Sequence, residues 1–376
     1  MKILFLPSWY PSEYNPVKGI FIKEHAKAVS LFNDVVVLYL EYDGNIKTLW
    51  KTLSDRKEDG IRTIRVKYRK LLIPKEITYS LITIKLFRKI LNSGWKPDII
   101  HAHIFLAGLP AVLLGKIYNL PVIVSEHWSV FTRSKLSKSK ISMARFVFNK
   151  AKIILPVSKN LEKAIKSCGI RNRFEVIPNV VNTDIFYQEP KNYKSKIKNI
   201  LFVGSLSETK GLSYLLHAIN VLAKKRKDFI LDIIGDSRDR KRYEDLSRDL
   251  KIDEMVRFHG LKSKDDVAKF MKQCDFYVQP SVVETFGITF IEAMACGKPV
   301  IGTKIPVLEE KINQERGILV QPGNVQDLAN AIDYMLDHYQ NYSSEKISLY
   351  VKENFTYEVI GKKIDNVYRD ILCAKK

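Results

Sequence analysis

The chain is short of several things that would each assign it a class at once. Its 376 residues hold four cysteines, at 168, 274, 296 and 373. They form no C-x-x-C pair and no metal-ligand spacing, which excludes a disulfide scaffold and a thiolate metal module. No run approaches 18 apolar residues; the stretch that comes nearest, Ile104 to Gly115, has the length of a buried helix rather than a membrane span. No G-x-G-x-x-G follows a strand, so dinucleotide binding has no support. No D-x-D is placed as a clasp for a metal-bound phosphate, and no metal or other cofactor is expected. Acidic residues are scarce too: 41 against 62 basic ones, a net charge of +21. That imbalance fits a polyanionic partner, whether nucleic acid, an anionic membrane surface or an acidic substrate.

What is present is a globular chain, 46% hydrophobic and 27% charged, long enough for two domains. Its most informative stretch is 275–301. Asp275 to Val278 reads as a short buried strand broken by Pro280 and Ser281. After Gly287 the positions Ile288, Ile291, Met294 and Ala295 follow helical spacing, until Gly297 and Pro299 stop the helix. A strand thus delivers a loop, and the loop opens a helix. The first-turn N–H groups of Phe286, Gly287 and Ile288 make that turn an anion seat. Glu284 and Glu292 frame it. Eight helical steps of ~1.5 Å would separate their backbones by ~12 Å, too far to attack one bond as a glycosidase pair does. The spacing suits two ends of a long ligand, and carboxylates accept from sugar hydroxyls. Two sugars with an anion between them describe a nucleotide-sugar.

The string Glu284-Thr-Phe-Gly-Ile-Thr-Phe-Ile-Glu292-Ala-Met-Ala-Cys-Gly-Lys-Pro-Val resembles the E-x7-E signature of the family 4 retaining glycosyltransferases. The resemblance implies an α/β protein of the GT-B fold, two Rossmann-like doubly wound parallel-sheet domains facing a central cleft. It places an acceptor-side domain at 1–187 and a nucleotide-sugar domain at 188–355, with a C-terminal helix, 356–376, packing back on the first. It is dense from 199 to 330 and sparse from 40 to 120.

In the first half, strand Ile3–Leu6 leads into a Pro-rich loop ending at Gly19, where a doubly wound domain admits phosphate. W-Y-P-x6-K-G-x-F there is similar to the loop of surface-polysaccharide transferases whose glycine approaches the donor diphosphate. Strands follow at Val35–Leu40, Ile61–Val66 and Asp98–Ala102, the last ending in His101-Ala-His103, read as cleft lining. Strand Pro121–Ser125 opens into Glu126-His127-Trp128. His127 resembles the family histidine that contacts the donor sugar, with Glu126 a partner that could orient it. From Thr132 to Lys152 there are seven basic residues and no acidic one. On a helix, Lys135, Lys138, Ser142, Arg145 and Asn149 share a stripe opposite Ile141, Ala144, Val147 and Phe148. Arg62, Arg65, Lys67, Arg69, Lys70 and Lys75 make a second basic patch. Each patch reads either as a solvated face or as a surface that docks on anionic lipid or on a pyrophosphate-linked acceptor. After strands Ile153–Val157 and Phe174–Pro178, residues 187–198 read as the linker.

In the second half, Gly204-Ser-Leu-Ser-Glu-Thr-Lys210-Gly211 is similar to the family's G-R-L-x-x-x-K-G, with Ser205 where the phosphate-gripping arginine usually stands. Strand Leu231–Ile234 ends in Gly235, and Val256 to Leu261 resembles the strand end that reads the nucleobase. The resemblance thus implies Glu284, His127 and Lys210 as catalytic residues. Gly19, Ser205, Gly235, Leu261, Phe286, Gly287, Ile288 and Glu292 would bind the donor. Trp9, Tyr10, His103 and Trp128 are the acceptor-side candidates. The implied reaction is metal-independent, retaining transfer of a hexose or N-acetylhexosamine from a UDP- or GDP-sugar to a sugar or lipid-linked acceptor in envelope polysaccharide or glycolipid synthesis. The N-terminal Met-Lys-Ile-Leu-Phe-Leu-Pro is too short for a signal peptide. The expectation is therefore a cytoplasmic protein, peripheral on the inner face of the cytoplasmic membrane. Two other readings stay open: a nucleotide-sugar epimerase on the same fold, and a basic nucleic-acid-binding protein. The latter is weakened because no aromatic platforms interleave the basic stretches.

Overall fold

A computed structural model describes residues 1–13, 15–133, 136–189 and 196–374. In chain order the elements are β1 (Lys2–Pro7), α1 (Ile20–Ser30), β2 (Asp34–Tyr42), β3 (Trp50–Glu58), β4 (Ile61–Tyr68), α2 (Lys75–Asn92), β5 (Ile99–His103), α3 (Phe105–Tyr118), β6 (Val122–Glu126), α4 (Lys138–Lys150), β7 (Ile153–Pro156) and α5 (Lys159–Ser167). Then come β8 (Lys198–Val203), α6 (Leu212–Ala223), β9 (Phe229–Ile234), α7 (Arg240–Asp249), β10 (Val256–Phe258), α8 (Lys264–Gln273), β11 (Phe276–Val278), α9 (Ile288–Ala295), β12 (Val300–Thr303), α10 (Pro306–Glu309), β13 (Gly317–Val320), α11 (Val325–His338), α12 (Ser344–Asn354) and α13 (Tyr357–Cys373).

The chain divides into two compact units, 1–180 with 357–376, and 181–356. The first sheet runs β3-β4-β2-β1-β5-β6-β7 and the second β10-β9-β8-β11-β12-β13. All pairings are parallel except β3 with β4. Each parallel sheet therefore grows outward on one side of its first strand, then reverses to the other. The reversal falls between β1 and β5 in the first unit and between β8 and β11 in the second. Such switch points leave a crevice at the carboxyl ends of the strands. The buried strands read as apolar runs, as sheets covered on both faces must: Ile3 to Leu6 and Phe276 to Val278 are inaccessible to solvent.

Several boundaries differ from the sequence reading. The first unit ends at Val180 rather than 187, because the Val181 N–H bonds the Phe355 carbonyl and Phe186 lies buried beneath Lys264. Of the expected linker, 190–195 lie outside the described residues. Its flanks are tied to the second unit, where Lys272 sits over the Tyr187 ring and pairs with Glu189. Phe174–Pro178 is not a strand; it meets β7 through a single bridge at Ile154, and Pro178 has no N–H to extend the ladder. β3 escaped the sequence reading because its exposed edge needs no apolar alternation. Its turn, Asp59-Gly60 with φ of 48° and 83°, is nevertheless a strong hairpin signal.

α13 packs on α1 in the first unit. Gly361 makes this possible, since a Cβ there would lie 2.2 Å from the Ala28 carbonyl oxygen. The Tyr357 hydroxyl bonds Glu24, Asp365 accepts from Asn33 at 2.9 Å, and Tyr368 meets His101 at 2.6 Å. Gly361→Ala should therefore cost about 1–3 kcal/mol through overpacking. All four tryptophans (9, 50, 95, 128) lie in the first unit, so fluorescence-monitored urea unfolding reads its stability alone. An unchanged midpoint would refute this account of the helix crossing.

Candidate active site

In both units the candidate site begins with how the helices start. α4, α5, α8, α11 and α12 open on Ser137, Ser158, Ser263, Asn324 and Ser343, whose side chains accept a first-turn N–H. The helices after β1, β8 and β11 instead open on glycines in the left-handed region: Gly19 (φ 71°), Gly211 (φ 74°) and Gly287 (φ 78°), with no side-chain cap. These helices follow strands at the switch points, so first-turn donors without a side-chain acceptor stand where a ligand would bind. Glu284 lies outside α9, so the ~12 Å reckoned for eight helical steps does not apply; only Ile288 to Glu292 is helical.

Glu284, 9% exposed, accepts from the Ser281 hydroxyl at 3.0 Å and the Gln279 amide at 3.4 Å, and pairs with Lys210. Lys210 and Glu284 are 74 positions apart, and the β8/β11 reversal joins them. Gln279 is held in turn by the Tyr277 hydroxyl and, at 2.8 Å, by the Thr289 hydroxyl on α9. Glu292, on α9, has the Lys264 ammonium 4.0 Å away. Phe286 is buried beneath the Lys311 ammonium, 4.6 Å from its ring centroid. Burial pushes Lys311 down to about 8, although its Nζ donates to the Val307 carbonyl at 2.8 Å. The sequence reading missed Lys311, Gln279 and Tyr277, because nothing in their local spacing marks them. Ser205 and Leu261 are exposed in this unit. Gly235 packs against Gly204, where a Cβ would lie 1.8 Å from the Gly204 carbonyl oxygen.

In the first unit the β6 end carries His127. With the Asn179 carbonyl oxygen 3.0 Å away, His127 Nδ1 bears the proton, and Nε2 accepts from His103 Nδ1 at 3.2 Å. Asn179 and His103 orient the ring, rather than Glu126 as expected. Glu126 accepts instead from the backbone N–H groups of Phe105, His127 and Trp128, at 3.0, 2.9 and 2.9 Å. Burial outweighs these donors and pushes it up to about 7. His101, His103, His127 and His25 form one buried cluster, with His101 and His103 stacked at 4.3 Å and His25 edge-on to His127 at 5.2 Å. The loop entering this cluster is strained: Ile104 has φ 71°, uncommon for a β-branched residue and costing about 1–3 kcal/mol.

The acceptor-side candidates separate. Trp9 and Trp128 meet edge-to-face at 5.4 Å, and Trp9 lines a cavity of about 370 Å³ with Ser8, Tyr42, Tyr68 and Tyr79. Tyr10 and His103 are core side chains, 1% and 0% exposed, which removes them as acceptor contacts. The Tyr10 ring packs on Tyr39 at 5.8 Å, and Arg65 lies 5.3 Å from its centroid. Gly19 has a backbone reason to be glycine, since a Cβ there would lie 2.5 Å from the Trp9 carbonyl. Among the described residues no group of three or more His, Cys, Asp or Glu is placed to hold a metal, and no helix is long and apolar enough to cross a membrane.

Comparison with known proteins converges on one family. Residues 184–353 match the family described as glycosyl transferases group 1, and 26–185 match glycosyltransferase family 4. An uncharacterized glycosyltransferase of Methanocaldococcus jannaschii is 30% identical over 83% of this chain and 85% of its own. In fold, the chain is similar to sucrose-phosphate synthase from Thermosynechococcus elongatus (TM-score 0.80, 20% identity, all of both chains). It is also similar to Anabaena HepE in complex with UDP-glucose (TM-score 0.76, 21% identity, 98% of this chain and 100% of that one).

The histidine cluster sets the pH response of the first unit. Burial holds His25 down at about 4, and His101, His103 and His127 well below the ordinary value. Below about pH 6.5 the unfolded chain takes up protons that the folded one refuses, so stability present above 6.5 is lost on acidification. Glu126, raised to about 7, opposes this by one proton. From pH 6 to 5 the net loss should be about 3–4 kcal/mol, read from tryptophan-monitored urea unfolding. A flat profile would refute the neutral cluster.

Proposed function

This chain belongs to the family 4, group 1 glycosyltransferases, and from that premise we propose that it moves a hexose or N-acetylhexosamine, with retention, from a nucleoside-diphosphate sugar to a sugar or lipid-linked acceptor of envelope polysaccharide or glycolipid synthesis. The observation that carries the reading is the pairing of Lys210 with Glu284 beside the uncapped start of α9. Each of these two charges neutralises the other. A donor diphosphate takes over Lys210 and the N–H groups of Phe286, Gly287 and Ile288, and releases Glu284 to accept from hexose hydroxyls. Glu292 takes the ribose hydroxyls. UDP is the first base to test, since HepE is seen with UDP-glucose.

The bond from sugar C1 to the diphosphate oxygen breaks with its electron pair on the leaving group. The acceptor hydroxyl oxygen bonds C1 on the same face, and its proton passes to the departing phosphate oxygen. Lys210 and the helix start meet the charge that grows there, so the proposal needs no divalent cation. Ser205 adds at most one hydroxyl. His127 enters as a neutral ring fixed by Asn179; a sugar hydroxyl that reaches its Nε2 displaces the His103 N–H. Trp9 and Trp128 offer apolar faces to an acceptor sugar.

Lys210→Ala should lower kcat about 100- to 1,000-fold, the usual cost of deleting one preorganised donor. Glu284→Gln should reduce turnover steeply while leaving calorimetric binding of the nucleoside diphosphate measurable. Glu292→Ala should weaken that binding, and chelator should leave turnover unchanged. Near-normal turnover of Glu284→Gln, or no binding of UDP, GDP or ADP by the native chain, would sink the assignment.

A further inference from the structure

The basic patch of the first unit sorts into two halves. Arg62 pairs with Asp55, Arg65 with Glu58 and Lys67 with Asp43, at 2.8, 2.7 and 2.8 Å. These three cations are answered by carboxylates of β3 and the β2 end. Arg69, Lys70 and Lys75 are exposed, and among the described residues none has an ion-pair partner. Between them runs Leu71-Leu72-Ile73-Pro74. Leu72 is fully exposed, and Leu71 and Ile73 are more than one-third exposed.

This tip is built rather than frayed. The Leu71 N–H donates to the buried Thr78 hydroxyl at 3.2 Å, folding the tip back on the first turn of α2. Ile77 and Leu81 continue the apolar exposure along α2, one turn apart. Lys85 and Lys89 lie beyond, over the Trp50 ring. From 62 to 92 there are nine basic residues and one acidic one, Glu76. The tip leaves β4, whose carboxyl end emerges at the same end of the sheet as that of β1, and Lys75 and Glu76 line the Trp9 cavity.

We propose that residues 69–81 are a membrane-docking element: Leu71, Leu72 and Ile73 enter the boundary between headgroups and acyl chains of an anionic bilayer, and Arg69, Lys70 and Lys75 pair with its phosphates. Charge complementarity selects this occupant. A symmetric second copy would set this cationic tip against itself. Nucleic acid would want exposed aromatic rings for stacking, and the tip offers branched aliphatic side chains instead. Apolar tips with basic flanks suit a bilayer surface. The element would hold the Trp9 cavity against the layer from which a lipid-linked acceptor is drawn. That last clause rests on the transferase reading; bilayer binding itself does not.

The test is co-sedimentation of the full chain with vesicles of phosphatidylcholine mixed with phosphatidylglycerol, against pure phosphatidylcholine. One set carries Arg69, Lys70 and Lys75→Ala, and another carries Leu71, Leu72 and Ile73→Ser. A third removes equal charge from the exposed Lys224, Lys225 and Lys227 of the second unit. At about five-fold per basic residue, the first set should weaken binding to mixed vesicles roughly 100-fold. The second should abolish the binding that survives raised salt, and the third should change binding less than about two-fold. Calorimetric binding of UDP should be equal in all four proteins. That arm certifies the fold of the second unit, an unchanged tryptophan-monitored urea midpoint certifies that of the first, and UDP binding that fails in every protein indicts the donor reading alone. Equal loss in the first and third sets, undiminished binding by the second, or a dimer or single-stranded RNA complex lost with the same substitutions, would overturn the proposal.

Discussion

Everything in the second unit depends on backbones touching at the carboxyl ends of its strands. A Cβ at Gly211 would lie 1.9 Å from the Pro280 carbonyl oxygen, and one at Gly235 would lie 1.8 Å from that of Gly204. Real atoms do not approach so closely. Only glycine lets the loops after β8, β9 and β11 interlock, and the interlock carries Lys210 to Glu284. The same choice leaves α6 and α9 without side-chain caps. As a cap, glycine gives up only about a few tenths of a kcal/mol against serine or asparagine, and it leaves open the donors that a side-chain oxygen would occupy and an anion needs. The capped helices, α8, α11 and α12, begin away from the β8/β11 reversal. Stability and binding thus compete for the same N–H groups, and the fold separates them by position.

The first unit solves a different problem with the same topology. The loop between β5 and α3 turns at a strained isoleucine, and the loop after β6 must expose backbone donors inside the core. Glu126 collects three of those donors at once, joining the loops that follow the neighbouring strands β5 and β6. Its burial makes ionisation costly, which fits a group chosen for its acceptor geometry. The stacked histidines beside it fill the core as neutral aromatic rings; their nitrogens find one another, Ser125, Tyr368 and Asn179, except for His103 Nε2, which has no hydrogen-bond partner among the described residues. Tyr368 comes from α13, so the C-terminal helix reaches into the wall of the cluster. Its docking and the histidine geometry are one arrangement.

Legibility followed sequence distance. The Glu284–Glu292 turn was readable because strand, breaker, loop and helix fall within 30 residues, where periodicity and glycine chemistry act directly. Lys210 was readable only through resemblance to G-R-L-x-x-x-K-G, since nothing local says that a lysine will meet a carboxylate 74 positions on. Asn179 directly follows the stretch read as strand Phe174–Pro178, without any local sign that its amide would set the tautomer of His127. His25 was invisible: nothing in its local sequence marks it as a member of the cluster, and on α1 it proves to be fully buried. Tyr10 and His103 misled because strand-end residues were read as crevice-facing, and which way a side chain turns there is decided by tertiary packing. The stripe on α4 came out as its spacing implied, with Lys138, Ser142, Arg145 and Asn149 exposed and Ala144, Val147 and Phe148 buried. Lys135 of that stripe lies outside the described residues.

Net charge was the least discriminating signal, and the structure shows why. A surplus of +21 says how many cations lack an acid in the count, not where they lack one in space. Arg145 donates to the Cys168 carbonyl at 2.7 Å, answering the carbonyl end of α5, and Arg226 is held by Asp228, Asp333 and Asp337. Such cations are internal parts whatever the total. β3 matters most here: an edge strand with no apolar face, it supplies Asp55 and Glu58 to the arginines of β4 and, with Asp43 just past β2 on Lys67, neutralises half of a patch that looks uniform in sequence. What remains after that local cancellation is a short run of cations around an aliphatic tip. The field a partner meets is the residue of this pairing, and it is written in the register between β3 and β4 rather than in the composition.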